Sequence, residues 1–335
     1  MRIVAGLGLI VLAMTTVVSY AQKEGTLLVV EKGAQSLAIV EPGSGSVLAS
    51  VAEGAAAKDT GHEVAASKDG KRAFVPIYGN SGVGKPGTDG TEMVVIDIAS
   101  RKVVGKVDFG HAVRPHFPAL NPKDGLLYVT TELDKSLTIV DPETLKIVGT
   151  VPTGSAETHM LAIAHDGKRG YTANVGPGTV SVLDLVGRKT VKVIPVAGTV
   201  QRISISMDDK HVFTSDQTKP ELDVIDTATN TVVKRIPMAG TGYGSAPTPD
   251  GKWLLVPMMD LNKVAVIDLK AMSVARNIDL AAGTHPQEAL VRPDGKAAYV
   301  SCDHSGQVAE IDTVTWAVRR MIDTGKLSDG LAWAK

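Results

Sequence analysis

The chain has 335 residues, of which 44% are hydrophobic, 21% charged and only 4% aromatic, with 34 glycines. Many glycines with few aromatics suit a globular chain of short strands and tight turns. The formal charge of −1 gives no electrostatic pull toward DNA or an anionic membrane, so nucleic acid is not an expected partner.

The first residues read as an export signal. Met1-Arg2 is a short positive start, residues 3–18 are an apolar run, and Ser19-Tyr20-Ala21 is a small-x-small cleavage site. The run is broken by Gly6, Gly8 and Thr15-Thr16 and is shorter than the ~20 residues of a transmembrane helix. The spacing predicts a signal peptide over 1–21 and a single domain over 22–335, exported to the periplasm or cell surface, with no membrane span after cleavage. Gln22 follows the cleavage site where a lipoprotein would carry cysteine. Cys302 stands alone, so no internal disulfide is expected and its thiol belongs in the interior.

From residue 26 onward the chain repeats. Turn pairs recur at Asp69-Gly70, Asp124-Gly125, Asp166-Gly167, Asp208-Asp209, Asp250-Gly251 and Asp294-Gly295. Apolar runs end in an acid at Asp97, Asp141, Asp184, Asp226, Asp268 and Asp312, spaced by 44, 43, 42, 42 and 44 residues. A glycine closes each unit, from Gly54 and Gly110 to Gly283 and Gly325. In the third unit, strands are predicted over 116–121, 126–131, 136–141 and 145–151, which is the content of one four-stranded propeller blade. The first unit lacks its opening strand, and the tail at 328–333 supplies one. The prediction is an all-β fold: a seven-bladed β-propeller of four-stranded antiparallel blades, closed by pairing the C-terminal strand with the N-terminal blade.

Leu127-Tyr128-Val129-Thr130, Ala298-Tyr299-Val300-Ser301 and Gly170-Tyr171-Thr172-Ala173-Asn174 resemble the YVTN repeat, as does the run from Thr179 to Asp184. The resemblance covers nearly all of the chain after the signal. It implies an exported seven-bladed propeller, with roles in surface layers or periplasmic binding.

In such blades the inner-strand starts and the second-to-third loops emerge on one face, the Asp-Gly turns on the other. Six of the eight histidines, His62, His111, His116, His159, His285 and His304, fall on the first face. Aligned inner-strand starts place His62, His116, His159, Gln201, Tyr243, Gln287 and Asp329 around one mouth of the central channel. The candidate ligand-binding residues are His62, Arg114, His116, Glu157, His159, Arg202, Tyr243, His285 and Glu288. His62, His116 and His159 form the candidate metal set, since neutral imidazole suits Zn, Cu or Fe. No other cofactor is expected.

Residues 79–90, GNSGVGKPGTDG, interrupt the repeat on the same face. Gly84-Lys85 superficially fits a phosphate loop, but Pro86 replaces the required hydroxyl residue and a strand follows where a helix is needed. The segment is expected to form a rim or lid over the mouth. Two functions remain open. One is a non-catalytic scaffold binding a small molecule or a protein at the mouth. The other is a hydrolase resembling propeller lactonases, with His159 as base and Arg202 or Arg114 holding an oxyanion.

Overall fold

A strand covered by sheets on both faces has no polar side to spare, and these segments read that way: LLVV at 27–30, LAIV at 37–40, FVPIY at 74–78. Successive side chains point to opposite faces of a strand. Leu28 and Val30 therefore pack with Val64, Val75 and Ile77 on one side. Leu27 and Val29 pack with Ala297, Tyr299 and Ile322 on the other.

The computed structural model describes residues 25–56 and 58–335, and the predicted signal peptide lies outside them. Seven antiparallel sheets radiate about a channel, and seven apolar clusters fill the gaps between neighbouring sheets. The fold is the seven-bladed propeller. Blade 3 is made of Pro115–Leu120, Leu127–Thr131, Ser136–Val140 and Ile147–Pro152, each end within two residues of its expected place. In blade 1, Ser328–Ala334 pairs antiparallel with Thr26–Glu31, opposing Leu27 to Trp333 and Val29 to Leu331.

Outer strands face solvent. In Ser46–Ala52, Lys102–Asp108 and Thr231–Pro237 only Val51, Val107 and Ile236 are buried. Arginines on outer strands are matched within their own blades: Arg235 Nε lies 3.0 Å from Asp223, and Arg320, on Val318–Asp323, has its Nε 2.6 Å from Glu310. Charge on an outer edge also blocks sheet-to-sheet association.

Two inner strands depart from the regular blade. Blade 6 retains only Ala246–Pro247. In blade 2 the inner strand breaks into Thr60–Gly61 and Ala65–Ala66, leaving His62, Glu63 and Val64 between them. The break has a local cause. The Glu53 carboxylate accepts the Gly61 N–H at 2.9 Å, and the His62 carbonyl accepts the N–H of Gly330 from blade 1 at 2.9 Å. A Cβ at Gly330 would lie 2.5 Å from that carbonyl, so only glycine permits the approach. His62 is thus anchored to the neighbouring blade and released from its own ladder.

Candidate functional site at the channel mouth

Strand starts and second-to-third loops of several blades converge on a cavity of about 150 Å³ at one end of the channel. Its walls are the rings of His62, Tyr78, His116, His159 and Tyr243, with Lys32, Gln201, Arg202 and Asp329 supplying polar atoms. Gly82 and Val83 of the inserted segment complete one side.

The floor is a charge network crossing the channel. Arg202 stands on Val200–Ile205 of blade 5 and is 2% exposed. Its Nη1 lies 2.5 Å from Glu63 of blade 2 and 2.5 Å from Glu288 of blade 7, and its Nη2 2.9 Å from Asp329 of blade 1. Lys32 takes the other Asp329 oxygen at 2.8 Å, and the Tyr243 ring lies against the guanidinium at 4.9 Å. Three carboxyls, those of Glu63 and Asp329 buried and that of Glu288 part-buried, thus share two cations. Burial lifts Glu63 well above the usual carboxylate range and lifts Glu288 to about 7, with Arg202 opposing both. Burial also acts against ionisation of Asp329, but Lys32 and Arg202 outweigh it and hold that carboxyl below its ordinary value.

The wall beside blade 3 is organised by Glu132, which is 3% exposed. Its Oε1 lies 2.5 Å from His159 Nδ1, and its Oε2 accepts the Tyr78 hydroxyl at 2.9 Å. Arg114 Nη1 lies 3.5 Å from the same carboxylate and also donates to the Gly82 carbonyl at 3.2 Å. The other edge of Arg114 grips Asp89 at 2.7 and 2.9 Å. This fastens the inserted segment to the mouth. Gly90 lets the segment fold back, because a Cβ there would fall 1.6 Å from the Ile77 carbonyl.

His116 stacks on His159 at 3.6 Å, and its Nδ1 lies 3.2 Å from the His159 carbonyl oxygen. His62 stacks on Tyr78 at 4.6 Å. Its ring nitrogens make no hydrogen bond among the described residues. Burial, reinforced by nearby Lys32, pushes His62 down to about 3, and burial with the neighbouring imidazoles pushes His116 well below its ordinary value. Both rings are neutral at pH 7. His62 is only part-buried, but the surface it keeps faces this narrow cavity.

Residues 120–329 match the family model of the cytochrome D1 heme domain. The chain belongs to the cytochrome D1 heme domain family. The YVTN-like strands remain a resemblance of the repeat. Among solved structures, this family member is similar to hydrazine synthase of Kuenenia stuttgartiensis, at 18% identity and a TM-score of 0.73, over 90% of this chain and 99% of that one. It is also similar to the dihydro-heme d1 dehydrogenase NirN in complex with DHE, at 15% identity and a TM-score of 0.67, over 93% of this chain and 75% of that one. Identities this low establish the shared fold alone. Comparison with curated proteins finds no match. No helix among the described residues is long and apolar enough to cross a membrane.

In this member of the family, five of the nine candidate residues meet at the cavity: His62, His116, His159, Arg202 and Tyr243. Arg114 and Glu288 stand behind them as charge partners. Glu157 and His285 do not reach the cavity. Each immediately precedes an inner strand in the left-handed conformation, with φ of 53° and 52°, and is turned toward the second-to-third loop of its own blade. There Glu157 accepts the Gly176 N–H at 2.7 Å, and His285 Nδ1 lies 2.7 Å from Asp303. The histidine trio also differs from a metal centre. Among the described residues, its three rings are not a set whose donor atoms gather within 4.8 Å of one another. Sequence reasoning missed Lys32, Tyr78 and Glu132. They lie at or just beyond the ends of second strands, which return to the same mouth, and aligning those ends as well as the inner-strand starts would have found them.

Proposed function

We propose that the chain is an exported small-molecule binding protein, not an enzyme, and that its ligand sits at the channel mouth against His62. The observation that carries this is a neutral imidazole with unused ring nitrogens, held at an aromatic-walled cavity. A buried polar group without a partner costs about 1–3 kcal/mol, so a ligand that supplies the missing hydrogen bond recovers that cost. A cavity of about 150 Å³ accommodates one benzene-sized ring. The ligand class is therefore a planar, single-ring molecule with hydrogen-bonding edges.

Family membership raises heme as a ligand. A heme-type macrocycle needs an axial donor, a broad flat space and cations for its carboxylates. His62 meets the first need. The cavity is well below the roughly 300–1,000 Å³ of ordinary ligand sites, and Gly82-Val83 walls one side. Lys32, Arg114 and Arg202 are each already taken by carboxylates. The residues present do not fit such a group.

A thermal-shift and calorimetric screen of single-ring polar heterocycles tests the reading, with hemin followed by its Soret band as a second arm. Single-ring hits lost in His62→Ala, with no hemin shift, are expected. Hits indifferent to His62→Ala, or a hemin complex lost in that variant, overturn it. The Glu132–His159 contact favours a second reading, hydrolysis by water with His159 as general base. Turnover of a lactone panel, abolished by Glu132→Gln, would establish that instead. N-terminal sequencing of the secreted protein checks cleavage after Ala21.

A further inference from the structure

The propeller repeats one piece of geometry that brings side chains together in pairs. In blades 1, 3, 4 and 7 the residue before the inner strand is left-handed: Leu327, Arg114, Glu157 and His285, with φ between 51° and 56°. Its carbonyl accepts the N–H of the residue following the second strand. These bonds run from Lys32 to Leu327 at 3.2 Å, Glu132 to Arg114 at 3.4 Å, Val175 to Glu157 at 3.0 Å and Asp303 to His285 at 3.4 Å. Blade 3 uses the juxtaposition for an arginine and a glutamate. Blade 7 places a histidine there beside an Asp-His pair.

We propose that His285, Asp303 and His304 bind a divalent transition-metal ion. Their donor atoms all lie within 4.8 Å of one another, the one such set of three among the described residues. His285 Nδ1 is 2.7 Å and His304 Nε2 4.0 Å from the same Asp303 oxygen. Bonds of about 2.0–2.2 Å require donor atoms on one ion to be separated by roughly 3–4 Å. His304 now stacks on His285, with ring centroids 3.9 Å apart and planes 7° from parallel, and its 58% exposed side chain has room to turn out of the stack and bring Nε2 onto an ion held by the other two.

Three further features fit a built site. The other Asp303 oxygen accepts the Gln287 side-chain amide, and the His285 backbone N–H donates to Asn262 Oδ1 at 3.0 Å, so the carboxylate and the chain carrying His285 are held by a second layer. Asp303 is 8% exposed and has no lysine or arginine partner among the described residues, so its negative charge is left for an ion or the two imidazoles to balance. The exposed side of His304 gives an entry path and leaves room for water as a further ligand. Two imidazoles and one carboxylate suit Zn²⁺ or Fe²⁺ and disfavour Ca²⁺ and Mg²⁺, which take oxygen ligands. An ion bound through Nδ1 takes the place of the present His285 Nδ1–Asp303 contact and leaves the neutral ring's hydrogen on Nε2.

Equilibrium dialysis of the full, chelator-stripped protein against Zn²⁺, with Mg²⁺ in parallel, tests the site. One equivalent of Zn²⁺ is expected, weakened at least tenfold by His304→Ala and by Asp303→Asn, and retained in a His62→Ala/His116→Ala variant. His304 lies on an exposed loop, so melting of its metal-free variant should match the parent and separates lost binding from lost fold. No bound Zn²⁺, or Zn²⁺ retained undiminished in both His304→Ala and Asp303→Asn, overturns the proposal. Zn²⁺ lost only in the His62→Ala/His116→Ala variant overturns it equally, and moves the metal to the channel mouth.

Discussion

Replacing Arg202 by methionine keeps most of the side-chain volume and removes the cation that joins blade 5 to blades 1, 2 and 7. The cost depends on how many carboxyls then face the gap as anions. At pH 8 Glu288, which titrates at about 7, is ionised, and so is Asp329. Lys32 answers Asp329 alone. Taking one partner out of a buried ion cluster costs roughly 3–5 kcal/mol. At pH 5 the native protein already holds Glu63 and Glu288 protonated, and the chief loss is the bond to Asp329, roughly 1.5–3 kcal/mol for a hydrogen bond to a charged group. At roughly 2–4 °C per kcal/mol, Arg202→Met should lower the melting temperature by ~10 °C at pH 8 and by about half that at pH 5. Thermal denaturation of both proteins at the two pH values measures this. An equal drop at both, or a loss under ~1 kcal/mol at pH 8, would refute the assignment of Arg202 as the cross-channel tie.

Two other outcomes follow from the buried groups. His62 has its folded value near 3, below the ordinary 6.5, so the unfolded chain takes up the proton first. Its contribution is whole above pH 6.5 and drains away toward pH 3, by about 1.4 kcal/mol per pH unit, while Glu288 with its raised value acts in the opposite sense between 4.5 and 7. His62→Gln should therefore gain stability relative to the parent as the pH falls from 7 to 4, and parallel stability curves would contradict this. Cys302 is fully buried, and burial pushes its thiol up to about 12. It should resist a disulfide exchange reagent in the native protein and react at once in denaturant; rapid native labelling would show the blade 7 interface open.

Blade number and strand positions were readable because their causes are local. Asp124-Gly125 turns the chain wherever it occurs, and apolar runs such as 27–30 are what two covered faces demand. The mouth was half readable. Aligned inner-strand starts put His62, His116 and His159 together, since blades repeat and the starts share a radius. Orientation was another matter. Glu157 and His159 are two residues apart, yet a left-handed φ at Glu157 sends its side chain to Gly176 while His159 faces the cavity. Nothing in the residue types announces that φ. The link from Arg202 to Glu63 spans 139 positions, a relation created by ring closure. The pairing of Arg114 with the inserted segment is likewise a product of tertiary approach, through Asp89 and the Gly82 carbonyl.

The cavity and the cross-channel tie share side chains, and this has a consequence for how the mouth can work. Arg202, Tyr243, Lys32 and Asp329 line the cavity and also hold blades 1 and 5 together. A ligand that drew Arg202 to itself would have to leave Glu63, Glu288 and Asp329 without their common cation, at a cost of several kcal/mol. A ligand that bonds to His62 meets no such penalty, because the nitrogens of that imidazole have no hydrogen-bond partner among the described residues to give up. Selection for ring integrity thus confines recognition to the His62 and Tyr78 side of the mouth and keeps the charge network as a fixed floor. Binding there adds stability by mass action, about 2.7 kcal/mol at a hundredfold excess over Kd, without rearranging the tie beneath it. A ligand found by thermal shift should accordingly remain bound in Arg202→Met, on a less stable ring, and vanish in His62→Ala.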